Sequence, residues 1–207
     1  MGIASLPIEI QLILVPTILF ALTFHEYAHA RVAYMLGDYT SYYQNRMNLN
    51  PINHLDPFGT FALYFLGFGW AKPVPVLMQN LKNPRSDMMM IAMAGPASNM
   101  LLALIASIIY RLNFYFQFSE EVIFPLEIFI QINIVLAVFN LLPLNPLDGS
   151  RILPLIVKNP RTLYNIEVYG PRILIGLIIL NLIGIPILST IIPVSYTHLT
   201  LPTILRV

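Results

Sequence analysis

Residues 24–30, Phe24-His25-Glu26-Tyr27-Ala28-His29-Ala30, sit inside an apolar run that begins near Ile8 and ends near Leu36. On a helix, positions four apart stand one above the other, so His25 and His29 present both imidazoles to one point with Glu26 beside them. This HExxH spacing suits zinc hydrolysis. Two neutral imidazoles and one further ligand hold the ion and leave a position for water, whose pKa falls from about 15.7 to roughly 7, and the adjacent carboxylate takes its proton. The competing reading is two histidines satisfying polar contacts in a packed helix, because a five-residue pattern with two free positions also arises by chance. The surroundings have to separate the two.

Working outward, the chain of 207 residues is 57% hydrophobic and 10% charged. A soluble domain carries about 25% charged residues, so the solvent for most of this surface is lipid. Four apolar segments, 8–36, 88–110, 122–142 and 173–192, approach or exceed the roughly 20 residues that cross a hydrocarbon core. The first is too long and too rich in ionisable groups for a cleaved signal peptide. The expected fold is an all-α polytopic membrane protein with about four transmembrane helices in a single domain, residues 1–193. There is no cysteine, so a metal has to be held by histidine and carboxylate. A net charge of +1 gives no electrostatic case for binding nucleic acid.

Basic residues set the expected orientation. Arg46, Lys72, Lys82 and Arg85 fall in the connection 37–87, and Arg151, Lys158, Arg161 and Arg172 in the connection 143–172. The N-terminal flank has none and the short connection 111–121 has Arg111 alone. The positive-inside rule then puts the two basic connections in the cytoplasm and both termini outside. His29 lies about 10 Å from the cytoplasmic end of its helix, below the membrane surface but within reach of water. Ionisable groups at such depth cost several kcal/mol each unless paired or coordinated, so His25, Glu26 and His29 read as a functional site.

The connection 37–87 opens with Tyr39, Tyr42 and Tyr43 and continues through Asn50-Pro51-Ile52-Asn53-His54-Leu55-Asp56-Pro57-Phe58-Gly59. An apolar piece at 60–70, broken by Gly67 and Gly69, is too short to span and reads as re-entrant or interfacial. Ala71-Lys72-Pro73-Val74-Pro75-Val76 follows, an extended edge because proline removes ladder donors. Beside a metal such an edge can pair with an unfolded substrate segment by strand addition; a rigid connector explains the same residues. In Ala94-Gly95-Pro96-Ala97-Ser98-Asn99, residues 95–98 read as helix packing, whereas Asn99 needs an interior partner.

The third segment ends in Asn140-Leu141-Leu142-Pro143-Leu144-Asn145-Pro146-Leu147-Asp148-Gly149-Ser150-Arg151. The prolines stop the helix and Asp148 sits on a tight turn near the membrane surface. Asp148 is the best candidate for a third metal ligand, with Asp56 the runner-up. Asp38 and Asp87 are expected at helix ends facing water, and Glu120, Glu121 and Glu127 belong to the opposite side. The last stretch, 194–207, turns rich in serine and threonine and reads as a translated sequencing adapter joined to a truncated frame. His198 is therefore not counted as a ligand.

With these motifs in order, the chain resembles the site-2 protease family of intramembrane zinc metalloproteases in its compact prokaryotic form. The resemblance rests on His25 through His29, Asp56-Pro57-Phe58-Gly59, Trp70 through Val76, Ala94 through Asn99, and Asn140 through Arg151. It implies one Zn2+ per chain on His25, His29 and Asp148, with Glu26 as general base. It further implies that Asn140 and Asn99 line the active site, and that the stretch from Lys72 through Val74 to Val76 receives substrate as an extended strand. His54 either polarises the site or bonds a loop carbonyl. The implied partners are the lipid bilayer and a membrane-protein substrate cut in or beside its transmembrane segment. Many relatives have Gly-Gly after the aspartate where this chain has Gly149-Ser150, and no PDZ or cystathionine-synthase-type module is attached. The rival class is a non-catalytic zinc-binding membrane scaffold or an ion carrier. A carrier needs a path to both sides, whereas the polar residues here cluster toward one face.

Overall fold

The computed structural model describes residues 2–185. The expected adapter-derived stretch and His198 lie outside the described residues. The long helices are α1 (Ile8–Met35), α5 (Pro84–Phe116), α6 (Glu120–Asn140) and α8 (Pro160–Leu182); the short ones are α2 (Thr40–Tyr43), α3 (Pro51–His54), α4 (Pro57–Leu66) and α7 (Leu153–Ile156). Among the described residues there is no strand beyond an isolated antiparallel bridge between Leu55 and Ala71. All four long helices are long and apolar enough to cross a membrane. The protein is an all-α multi-pass membrane protein.

Helices α1, α5 and α6 pack on one another, and α8 touches this core sparsely. The packing is that of a protein in lipid. Many buried positions are small or polar, among them Ala21, Ala30, Ala33, Ala92, Asn99, Ala103, Ala106, Asn133 and Ala137. Large apolar side chains such as Leu12, Phe20, Leu101, Leu104, Ile105 and Ile179 point outward. Lipid rewards no hydrophobic burial between helices, so small residues that let backbones approach supply the contact instead. Prolines inside all four long helices are tolerated for the same reason.

Three expected boundaries shift. The second long helix runs from Pro84 to Phe116 rather than over 88–110, taking Arg111 into the helix, and the fourth starts at Pro160 rather than 173. In both helices polar first turns hid the start from an apolar-run reading, although Asn83-Pro84 and Asn159-Pro160 mark it. Asparagine or aspartate followed by proline opens four helices here, the other two at Asn50-Pro51 and Asp56-Pro57. The Asx residue suits the N-cap and proline suits the first helical position, where no N–H is needed.

The apolar piece after His54 forms α4 and is re-entrant. Its base is closed where the Lys72 N–H donates to the His54 carbonyl at 2.9 Å, beside the Leu55–Ala71 bridge. Its far end reaches the start of α1: the Tyr64 hydroxyl donates to Gln11 Oε1 at 2.7 Å, and Gly2 lies against the backbone of Phe65. Val74, just beyond the base, touches Glu26. Gln11 and Glu26 are separated by about 22 Å of helix, so the piece runs out alongside α1 over that length and turns back to the end it left. Gly67, with φ 79°, makes the reversal. Glycine is also required at 59 and 69, where an added Cβ would collide with the backbone of the opposite arm.

Candidate metal centre

Two four-residue rows build the site. Ala21, His25, His29 and Ala33 line one face of α1, and Ile91, Gly95, Asn99 and Ala103 line one face of α5; all are buried. Four-residue spacing keeps each row on one side of its helix. The helices run antiparallel, so His29 meets Ile91 while His25 meets Gly95 and Asn99.

The hydrogen bonds fix the imidazole tautomers. The Ile91 carbonyl can only accept, so His29 Nδ1, 2.7 Å away, is the N–H. Around His25 the assignment comes from a chain of amides. Asn133 Nδ2 donates to the Phe129 carbonyl at 2.9 Å, which leaves Asn133 Oδ1 to accept from Asn99 Nδ2 at 2.9 Å. Asn99 Nδ2 also donates to the Ala21 carbonyl at 3.1 Å, so Asn99 Oδ1 faces His25 Nδ1 at 2.6 Å and accepts its proton. Both imidazoles therefore carry hydrogen on Nδ1 and turn a bare Nε2 inward, the form a metal ligand needs.

Asp148 meets them there. Its Oδ2 lies 3.0 Å from His25 Nε2 and 3.2 Å from His29 Nε2. Among the described residues these three side chains form a group whose ligand atoms lie within 4.8 Å of one another. Asp148 opens a 3₁₀ turn, Asp148–Ile152, after the proline-rich end of α6. That turn is seated by Gly149, where any Cβ would overlap the Leu141 and Leu142 carbonyl groups. Gly95 supplies the remaining space, since a Cβ on it would overlap Nε2 of both histidines. Two imidazole nitrogens and a carboxylate oxygen, converging on a point that the facing helix leaves bare, fit a zinc ion.

Glu26, buried on α1, turns Oε2 to the Val74 N–H at 3.0 Å. The other expected residues lie around this centre. Asp56 is not in the cluster; it caps α4, accepting from the Gly59 N–H at 2.8 Å. His54 is buried and takes the loop-carbonyl alternative, bonding the Asn48 carbonyl at 2.8 Å. Asn140 Nδ2 donates to Leu136 of its own helix at 3.0 Å. Lys72 is exposed, and its backbone holds the base of the re-entrant piece.

Two expectations are corrected. Asp38 and Asp87 do not face water; both are buried at helix ends where backbone donors collect. Burial raises the Asp38 pKa, but hydrogen bonds from the Thr40 side chain, Asn80 and the Leu77 and Thr40 amides outweigh it, so the carboxyl is held below its ordinary value. Gly95 is more than a packing residue, because it borders both ligand nitrogens. Asn133 was not singled out from sequence. The available signal was an amide in the apolar part of α6, seven residues before Asn140 and hence on the same face.

Asn99→Ala is expected to lower zinc affinity about 10–100-fold, since it leaves the His25 Nδ1–H and the Asn133 carbonyl group without partners and frees the imidazole to turn. A competitive chelator titration measures this; unchanged affinity would remove Asn99 from the support of His25.

Comparison with known proteins adds three findings. Residues 116–183 match the model of peptidase family M50, a span that includes Asp148 but not His25 or His29. YwhC of Bacillus subtilis (strain 168), provisionally named a zinc metalloprotease, is 45% identical over 153 residues, which covers 71% of this chain and 70% of that protein. No solved structure is significantly similar.

Proposed function

From the premise that this chain belongs to peptidase family M50, the site-2 proteases, we propose that it is an intramembrane zinc endopeptidase that cuts a membrane protein within or beside a transmembrane segment. The observation that carries the reading is the convergence of His25, His29 and Asp148 opposite the bare Cα of Gly95, with Glu26 next in sequence. On this reading these three residues hold one zinc ion per chain. When bound, zinc supplies Lewis-acid activation of a water molecule and of the scissile carbonyl. Asn99 and the Ile91 carbonyl hold the imidazoles in the ligating tautomer. Glu26 takes the proton of the attacking water and returns it to the leaving amine nitrogen. The substrate helix has satisfied backbone bonds and has to unwind before its carbonyl is accessible. Asn140, at the end of α6, and the stretch 72–76 beside Glu26 are assigned to the wall of the path it takes.

All the metal-facing ends, those of α1, α5 and α6, adjoin connections rich in Lys and Arg. The positive-inside rule assigns that side to the cytoplasm of a prokaryotic cell membrane and both termini to the outside. The Ser150 that follows Gly149 bonds only the Leu147 carbonyl and keeps the turn that seats Asp148.

The test is cleavage of a tagged single-span protein whose transmembrane segment carries a helix-breaking Asn-Pro pair, in detergent micelles. Cutting in or next to that segment, abolished by a zinc chelator and restored by added zinc, is the expected result. Stoichiometric zinc with no cutting would return the scaffold reading, and cutting indifferent to the chelator would contradict a zinc-dependent endopeptidase.

A further inference from the structure

The stretch 72–77 is bonded from both sides. The Lys72 N–H donates to the His54 carbonyl at 2.9 Å, and the Lys72 carbonyl accepts from Arg46 Nη2 at 2.7 Å. The Val74 N–H donates to Glu26 Oε2 at 3.0 Å. The Ser41 hydroxyl donates to the Pro75 carbonyl at 2.6 Å, and the Leu77 N–H donates to Asp38 Oδ2 at 2.8 Å. Pro73 and Pro75 have no N–H to offer. Among the described residues, Val76 alone in this stretch keeps an amide without a partner. An edge awaiting another strand presents a row of free donors; here they are engaged or absent.

The same bonds solve a problem for Glu26. Its own helix uses its amides internally, so a buried carboxylate on α1 needs a donor from another part of the chain. Val74 provides it. The segment that carries Val74 is fixed in turn by Arg46, which is buried, grips the Lys72 carbonyl, and lies close enough to Glu26 to feel its charge: burial pulls the guanidinium down and the carboxylate pushes it back up. A guanidinium engaged with a carbonyl keeps a positive field near the carboxylate without closing an ion pair on it, so both carboxylate oxygens are not taken.

We propose that residues 72–77 form a fixed support for the general base, in which the Val74 amide positions the Glu26 carboxylate and Arg46 is the positioning residue that holds the segment through the Lys72 carbonyl. This rests on the reading of Glu26 as base and adds how the carboxylate is aimed. Substrate is then left to the outward face of the stretch, with no ladder of amides to pair with.

Two measurements test it. The first needs no activity: amide exchange of Val74 and Leu77 in the detergent-solubilised full chain, labelled with 15N-valine and 15N-leucine. In Glu26→Ala the Val74 amide is expected to exchange about tenfold faster or more, the equivalent of one charge-assisted hydrogen bond, while Leu77, bonded to Asp38, keeps its rate. Equal Val74 rates in the two proteins would overturn the proposal. The second is kinetic, on the tagged test protein above. Val74→Pro deletes one N–H from a segment whose neighbours are already proline, and should lower kcat about tenfold with KM within about twofold and zinc retained. Arg46→Ala should move kcat the same way, and Arg46→Lys, which still donates to Lys72, should recover part of the loss. A rise in KM at constant kcat would make the stretch a substrate edge and overturn the proposal. So would Arg46→Lys kinetics no better than those of Arg46→Ala. Should Val74→Pro fail to fold, the exchange rates and the Arg46 pair decide. If the wild type cuts nothing, the endopeptidase reading fails while the exchange rates still decide whether Val74 holds Glu26.

Discussion

Glu26→Gln is expected to lower peptide-bond hydrolysis by about 10²–10⁴-fold, the usual scale for a positioned general base, while zinc content stays at the wild-type level. The two side chains have the same shape, and a Gln oxygen still accepts from the Val74 N–H, so the loss falls on proton transfer and not on the fold. Glu26 also makes no contact among the three converging ligand atoms. Single-turnover cleavage and elemental analysis on the same preparation separate the two quantities. A Gln variant that cuts at the wild-type rate would remove Glu26 from the chemistry, and one that loses zinc would make it a ligand.

The second large effect is expected at a residue with no side chain. Gly95→Ala should strip zinc from the protein, because the new methyl group would occupy the space in front of Nε2 of both histidines. If α5 stays in place, overpacking costs about 1–3 kcal/mol. If α5 backs away to relieve it, the Ile91 carbonyl and Asn99 leave with it, and both imidazoles lose the bonds that orient them. Either route empties the centre. Elemental analysis of the variant, with helix content checked by circular dichroism, measures the outcome. A folded Gly95→Ala protein with full zinc would show that the two helices approach less closely than described.

Much of this was legible in the sequence because lipid simplifies the reading. Ionisable groups are costly in a bilayer, so His25, Glu26 and His29 stood out against an apolar run, and Asp148 followed as the best-placed carboxylate. The four spans were equally plain, but their polar first turns were not. Apolar runs mark where a helix meets hydrocarbon, and α5 and α8 begin in water, at Asn83-Pro84 and Asn159-Pro160. The apolar piece at 60–70 was too short to cross, which left re-entrant and interfacial readings open. Tyr64 lays the piece along α1 by reaching Gln11, a contact between residues far apart in sequence.

The supporting shell was the least legible part. Gly95 looks in sequence like any small residue at a helix contact, and only the positions of two nitrogens on another helix give it a second role. Asn99 called for an interior partner, but that the partner would be His25 depended on how α1 and α5 cross. Asp38 and Asp87 were expected in water because they flank helices, yet helix ends in a compact connection can be buried wherever backbone donors collect around them. The stretch 71–76 is outside the helices, with one bridge at Ala71, and which of its amides are free is a tertiary fact, set by Glu26, Arg46, Asp38 and Ser41.

The most direct measurement is zinc per chain, by elemental analysis on detergent-purified wild type and on His25→Ala, His29→Ala, Asp148→Ala and Asp56→Ala. The account predicts close to one zinc in the wild type and in Asp56→Ala, whose loss is confined to the cap of α4, about 0.5–2 kcal/mol of stability. It predicts little or none in the other three, each of which removes one of the converging ligand atoms. No zinc in the wild type, or zinc that survives all three ligand substitutions, would contradict it and leave HExxH as a coincidence in a packed helix.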